Sequence, residues 1–330
     1  MKRSSLFGHR EVSLFLILIF TIGLTSFINP RFVTGSGTRD LFNSTAVVAI
    51  MAVGITPIVI MKHIDLSIAS IVGFSAWLIA DLCAKHPWFT TWHAFIVGPL
   101  VGAAFGVLNG FLVAGLRLPA LVVTLGTLYI VRGLDYVVSN SVDYNAQDLP
   151  KSMVDLGEKT YFGLLPFPFL LVLIFMITAG LYMRYRKPGR DRYAIGSNAH
   201  AAELVGIKVF QRTFLAFVFS GATAGLAGVL YLMRFAQVDA TAFYGQELGV
   251  VAAVVIGGIS INGGIGTPYG AVIGALLVQS IQGGLSALGV DAFWKQAING
   301  TLLIIALFAD RVLARRAEQA LLAQRIKERA

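Results

Sequence analysis

Ten apolar runs recur along the chain, and they limit what it can fold into. They fall at about 12–28, 41–61, 66–83, 93–115, 120–138, 164–183, 213–233, 248–261, 268–288 and 295–310. A helix needs roughly 20 apolar residues to cross about 30 Å of hydrocarbon, and most of these runs approach that length. The run at 248–261 is short and reads equally as a half-helix or a re-entrant piece. Only 13% of the 330 residues are charged and 56% are hydrophobic, against about 25% charged in a soluble domain. Such a chain cannot cover its surface against water. The expected fold is therefore an all-α integral membrane protein, a single domain over 1–330 with about ten helices, some short or broken.

The basic residues orient it. With the N-terminus placed in the cytoplasm and the runs alternating, the cytoplasmic segments hold 18 Lys and Arg and the external ones 6. This is the bias that sets topology in membrane proteins, and it puts both termini inside. Seven of the 18 lie in one cytoplasmic loop, 184–212. The net charge of +9 and pI near 9.8 would suit nucleic acid, but clustering in short connecting segments argues for the membrane border, and no nucleic-acid partner is expected. The N-terminus starts basic and then turns apolar, as a signal peptide does. INPRF follows the run where a small-x-small cleavage site would stand, so it reads as a retained span. The basic tail 311–330 resembles an amphipathic helix lying on the anionic inner leaflet. The external segment 139–163 carries four acids against two lysines. It is either a solvated loop or a docking or gating surface.

A single cysteine, Cys83, excludes an internal disulfide. The five histidines are scattered with no HExxH pair, and no metal site is expected. Gly98, Gly102, Gly106 and Gly110 recur every fourth residue, as do Gly221 and Gly225, and Gly266, Gly270 and Gly274. Small residues at this spacing let helix backbones approach closely in a bilayer. The stretch GGISINGGIGTPYG (257–270) lacks the GxxxxGK[ST] pattern, and no such motif occurs elsewhere. It reads as a flexible break between two short membrane segments.

Polar groups inside the runs are functional candidates. Arg132 and Asp135, three apart on one helix, are expected to pair. Asp65 in KHIDLSIAS sits where it can cap a helix start. Asn109, Asn262, Gln279, Gln282 and Asn299 suit interhelical hydrogen bonds or a polar path. Candidates for a translocation path are Asp65, Asn109, Thr124, Thr127, Asn262 and Gln279. No acid–His relay is visible, which disfavours a proton-coupled carrier.

One polar stretch does not match its neighbours: GRDRYAIGSNAHAAELVGIKV (189–209), basic, glycine-punctuated and only weakly helical. Asn198 suits an N-cap, residues 199–205 two helical turns, and Gly206 the left-handed position that ends them. Gly196 permits a turn before it. Leu204, Ala201 and Val205 share one face of those turns, and His200 and Glu203 another. Two turns do not persist alone in water, so this segment is expected to be packed and to dock.

GSNAHAAELVGI (196–207) resembles the cytoplasmic loop of ABC-importer permeases of the monosaccharide branch. IDLSIAS (64–70), LRLPALVVTLGTLYIVRGL (116–134), ELGVVAAVVIGGISINGGIGTPYGAVIGALL (247–277) and LGVDAFWKQAINGTLLIIAL (288–307) resemble it in the same order. The resemblance implies a non-enzymatic permease subunit in the bacterial inner membrane that takes up a sugar or sugar-like solute by alternating access. Its implied partners are cytoplasmic ABC ATPases, a periplasmic solute-binding protein and a second permease, identical or related. No cofactor is implied on this chain, ATP and Mg belonging to the ATPase. Gly196, Asn198, Ala201, Ala202, Leu204, Val205 and Gly206 would form the coupling contact. Two departures stand out: Lys62-His63 where the family commonly has glycines, and Glu203 where a basic residue is common. The alternatives are a branched-chain amino acid permease and, in a different class, an ion- or proton-coupled carrier.

Overall fold

The computed structural model describes residues 9–291, and beyond them 294, 297–305, 307–308 and 311–312. The chain is helical almost throughout. Helices are α1 (His9–Ile28), α2 (Gly35–Ile60), α3 (Ile68–Lys85), α4 (Thr91–Gly110), α5 (Ala120–Ser139), α6 (Lys151–Glu158), α7 (Phe167–Tyr185), α8 (Lys187–Ser197), α9 (Ala199–Leu204), α10 (Val209–Phe235), α11 (Glu247–Ile256) and α12 (Pro268–Ala287). A two-residue antiparallel pair, Thr160–Tyr161 with Leu165–Pro166, is the one sheet among the described residues.

Seven helices are long and apolar enough to cross a membrane: α2, α3, α4 with its π-turn to Gly115, α5, α7, α10 and α12. Ten had been expected. The run at 248–261 shrinks to the 10 residues of α11, which at 1.5 Å per residue reach about 15 Å, half the hydrocarbon thickness. The apolar part of α1 is Phe15–Ile28. In the run at 295–310 the described residues 297–305 and 307–308 are helical, whereas the tail 311–330 lies outside the described residues beyond Arg311 and Val312.

Helix α2 is the axis. From Thr45 to Met61 every residue is buried, because no charged residue interrupts the sequence there and α10, α12 and α7 pack around it. Helix α10 lies across α2, α3 and α4. Its seam with α4 is built on glycine. A Cβ on Gly102 would overlap the carbonyl oxygen of Gly221, and one on Gly225 would overlap that of Gly98. The backbones touch, and dispersion and small-residue packing replace the hydrophobic effect that lipid cannot supply. Gly106 and Gly110 continue the seam against Phe217 and Phe214. Gly257, Gly270 and Gly274 make the same kind of contact between α11 and α12.

The chain between α10 and α11 shows what the short run does. Residues 236–246 turn back into the bundle, so that Ala242 reaches Gly73 in α3 and Arg132 in α5. Helix α11 then covers the remaining depth. Irregular backbone at this depth is tolerated where protein or a cavity surrounds it.

Candidate functional site

At one end of the bundle the weakly helical stretch is more ordered than its composition suggests. Helix α8 runs through both Gly189 and Gly196. Gly196 does not make the expected turn; it is buried, and a Cβ there would overlap the Ile60 carbonyl at the end of α2. Glycine serves here for close approach. The Gly264 amide donates to that same Ile60 carbonyl at 2.9 Å, and Lys62 Nζ donates to the Ser197 carbonyl at 3.2 Å. Tyr193, whose phenol burial pushes up to about 12, stays a donor and bonds the Gly266 carbonyl at 2.9 Å. Arg212 of α10 pairs with Asp191 at 2.9 Å. Helix α8 is thus fixed to three elements.

On this base sits α9. Asn198 Oδ1 accepts from the Ala201 amide at 3.0 Å, and Gly206 has φ +82°, the left-handed turn that stops a helix. Ala202 is buried at 3% exposure, whereas Leu204 and Val205 are 75% and 77% exposed. Ala202 therefore faces the bundle among Ile195, Ala216 and Phe217. Of the seven coupling candidates, Leu204, Val205 and Ala201 are presented outward, Gly196 and Ala202 inward.

The path candidates divide three ways. Asp65, Asn109, Thr124 and Thr127 come together in the interior rather than along an opening. Thr127 donates to Asn109 Oδ1 at 2.6 Å, and Asn109 Nδ2 donates to Ser67 Oγ at 2.8 Å. Ser67 donates to Asp65 through both its amide (3.0 Å) and its hydroxyl (2.6 Å), and Ser220 donates to the other carboxylate oxygen at 2.9 Å. Thr124 donates to the Ile64 carbonyl at 3.3 Å. This network links α4, α5, α10 and the α2–α3 connection; Asp65 does not cap α3 as expected, since Ser67 is the N-cap and Asp65 instead accepts from Ser67 itself. Asn262 lies exposed on the connection between α11 and α12.

Gln279 lies elsewhere, on a cavity of about 670 Å³ at the opposite end, beside Tyr231, Asp239, Tyr244, Gln246 and Gln282. Sequence reasoning had singled out only Gln279 and Gln282 of these. The others belong to the polar break between two apolar runs, or precede it, and that break was the available signal. A second cleft, about 960 Å³, opens beside α9 and includes Lys62, His63, Arg117 and His200. Burial lowers the His63 pKa below its ordinary value, so the imidazole is neutral at pH 7. Lys62 has φ 66°, a conformation natural to glycine and uncommon for other residues.

Arg132 and Asp135 lie close enough to interact through their charges, as expected, but no hydrogen bond or ion pair within 4 Å joins them. Arg132 Nη1 instead donates to the Ala242 carbonyl at 2.9 Å, and its guanidinium stands 5.3 Å over the Tyr244 ring. Both Asp135 carboxylate oxygens are buried without a hydrogen-bond partner. The cause is the returning segment 236–246, which brings a carbonyl and a ring to the arginine. Arg132 therefore holds a wall of the cavity. In an Ala242→Cys chain lacking Cys83, maleimide labelling should be slow, Ala242 being buried. Adding Arg132→Ala should raise the rate about tenfold or more, the value of one charge-assisted hydrogen bond. An unchanged rate would remove this role from Arg132.

Residues 37–307 match the family model described as "Branched-chain amino acid transport system / permease component". The chain is 32% identical over 304 residues to the L-arabinose ABC transporter permease protein AraH of Azospirillum brasilense, covering 91% of this chain and 86% of that one. It is 32% identical over 307 residues to the autoinducer 2 import system permease protein LsrC of Enterobacter sp. (strain 638), 93% of this chain and 88% of the relative. Against the ribose import permease protein RbsC of Escherichia coli (strain K12) it is 30% identical over 300 residues, 89% and 92% of the two chains. No solved structure matches. The chain is a multi-pass membrane protein that belongs to this family of ABC transporter permease components, alongside its sugar permeases.

Proposed function

We propose that the chain is the membrane-spanning subunit of a bacterial ABC importer, in the inner membrane, and that it takes a sugar or sugar-like solute into the cytoplasm. The observation that carries this is similarity over 91% of the chain to an arabinose permease, with ribose and autoinducer 2 permeases of comparable likeness. The cavity beside Gln279 supports it. Its amides, phenols and carboxylates (Gln246, Gln279, Gln282, Tyr231, Tyr244, Asp40 and Asp239) can hydrogen-bond a solute rich in hydroxyls, and Phe32, Phe235 and Phe243 give it apolar faces as well.

In this reading α9 faces the cytoplasm, and both termini lie on that side with about ten membrane segments between them. Leu204 and Val205 enter a groove of a separate ATPase, which holds ATP and Mg. The chain itself catalyses nothing. A second permease completes the pathway and a periplasmic binding protein delivers the solute. ATPase closure pushes α9, and because α8 and α9 are pinned to α2, the 257–266 connection and α10, the push reaches the bundle. Nucleotide and binding protein then supply differential affinity for outward and inward states.

Cysteine cross-linking tests the coupling contact. In a Cys83→Ser background, Leu204→Cys and Val205→Cys should cross-link to the ATPase encoded beside this chain, with a yield that changes with nucleotide. Ala202→Cys, facing inward, should cross-link poorly. Absence of any cross-link at either exposed position, in a complex shown to be intact, would reduce α9 to a connector. Solute uptake without the ATPase would then favour a carrier.

A further inference from the structure

The cleft beside α9 has a lining of two kinds. Lys62 and Arg117 are cations and His200 lies with them, Glu203 being the single acid in the lining. Leu118, Leu121 and Phe210 are its exposed apolar part, at 44%, 47% and 48% exposure. Arg117 enters no ion pair or hydrogen bond among the described residues. Its φ is 56°, so both bases flanking the α2–α3 and α4–α5 connections, Lys62 and Arg117, sit in the left-handed region. Long side chains rarely occupy that region, and here both turns carry a cation to one opening.

The occupant has to satisfy both kinds of lining. A soluble anion would neutralise the bases and leave the leucines in water. An aliphatic molecule would cover the leucines but leave Arg117 unmatched and the Lys62 ammonium with only the Ser197 carbonyl for a partner. The apolar part also continues into the first turns of α5 and α10, two helices long enough to span the membrane. A cation pair at that border with apolar surface leading away from it matches an amphipathic phosphodiester. The volume of about 960 Å³ is within the usual range for organic ligands.

We infer that this cleft is a binding site for an anionic phospholipid, its phosphate between Lys62 and Arg117 and its chains along Leu118, Leu121 and Phe210. The inference rests on the membrane reading and is independent of which solute is carried. Asn198, His200 and Glu203 line the same cleft, so the lipid braces α9 along the flank that carries those residues.

The test uses the full chain in nanodiscs of mixed phosphatidylglycerol and phosphatidylcholine, followed by native mass spectrometry. The wild-type chain should retain phosphatidylglycerol in preference. Lys62→Gln with Arg117→Gln should lower that retention roughly 30-fold, the effect of two interfacial cations. Leu118→Gln with Leu121→Gln should weaken lipid retention while leaving binding of inorganic phosphate, measured in detergent, unchanged. Equal retention of the two lipids by the wild-type chain overturns the proposal, and it needs no variant. Phosphate binding as tight as that of the lipid and indifferent to the leucines also overturns it, by assigning the cleft to a soluble anion. A Leu118→Cys disulfide between two copies, formed in a Cys83→Ser background and undiminished by phosphatidylglycerol, overturns it in favour of a second copy.

Discussion

Gly102→Val should destabilise the protein by about 3 kcal/mol, the upper part of the range for overpacking a well-filled interior. The argument is geometric. Any Cβ at position 102 overlaps the backbone carbonyl of Gly221, and a backbone cannot move aside as a flexible side chain can. Helices α4 and α10 would have to separate, and the close contact between them is spread over Gly98, Gly102, Gly106, Gly221 and Gly225. In lipid no hydrophobic gain compensates for the lost packing. Gly126→Ala is the matched control, since nothing lies within 4 Å of that position, and inside a helix it should leave stability unchanged or raise it by up to about 1 kcal/mol. Thermal unfolding of the two variants in one detergent reads the difference. A Gly102→Val chain that melts with the wild type would show that the α4–α10 seam is looser than its geometry.

Asp65→Ala should cost a similar amount by a different mechanism. The carboxylate is 1% exposed and accepts from the Ser67 amide, the Ser67 hydroxyl and the Ser220 hydroxyl. Its removal strands three buried donors, each costing about 1–3 kcal/mol, so the loss should be about 3 kcal/mol or more. The effect spreads, because Ser67 also receives Asn109, which receives Thr127. Asp65→Asn keeps the acceptor oxygen facing Ser67 and should cost about 1–2 kcal/mol. Melting temperatures in the order wild type, Asn, Ala are expected. Equal values for Ala and wild type would mean that water substitutes for the carboxylate and that the network lines a wet path.

Parts of this were legible in the residues. Lipid admits few kinds of backbone, so long apolar runs specify helices and small residues every fourth position specify close seams. Asn198 and Gly206 bracket α9 because a cap and a left-handed stop are local chemistry. The outcome at Gly196 was not legible, since glycine permits both a turn and a backbone contact and only the neighbouring Ile60 carbonyl distinguishes them. Arg132 and Asp135 have pairing spacing, yet the arginine's partner came from residue 242, 110 positions away.

The path candidates show the same division. Asp65, Asn109, Thr124 and Thr127 look alike in the sequence as polar groups at depth, and so does Gln279. Four of them close on one another, and the fifth borders a cavity. Hydropathy and local hydrogen bonding follow from the order of residues, so the sequence by itself determined the membrane class, the long apolar helices and the shape of the α9 cap. Satisfaction of a buried polar group depends on which distant helix lies opposite it. Only the tertiary structure therefore decided which groups satisfy one another in the interior and which border an open cavity.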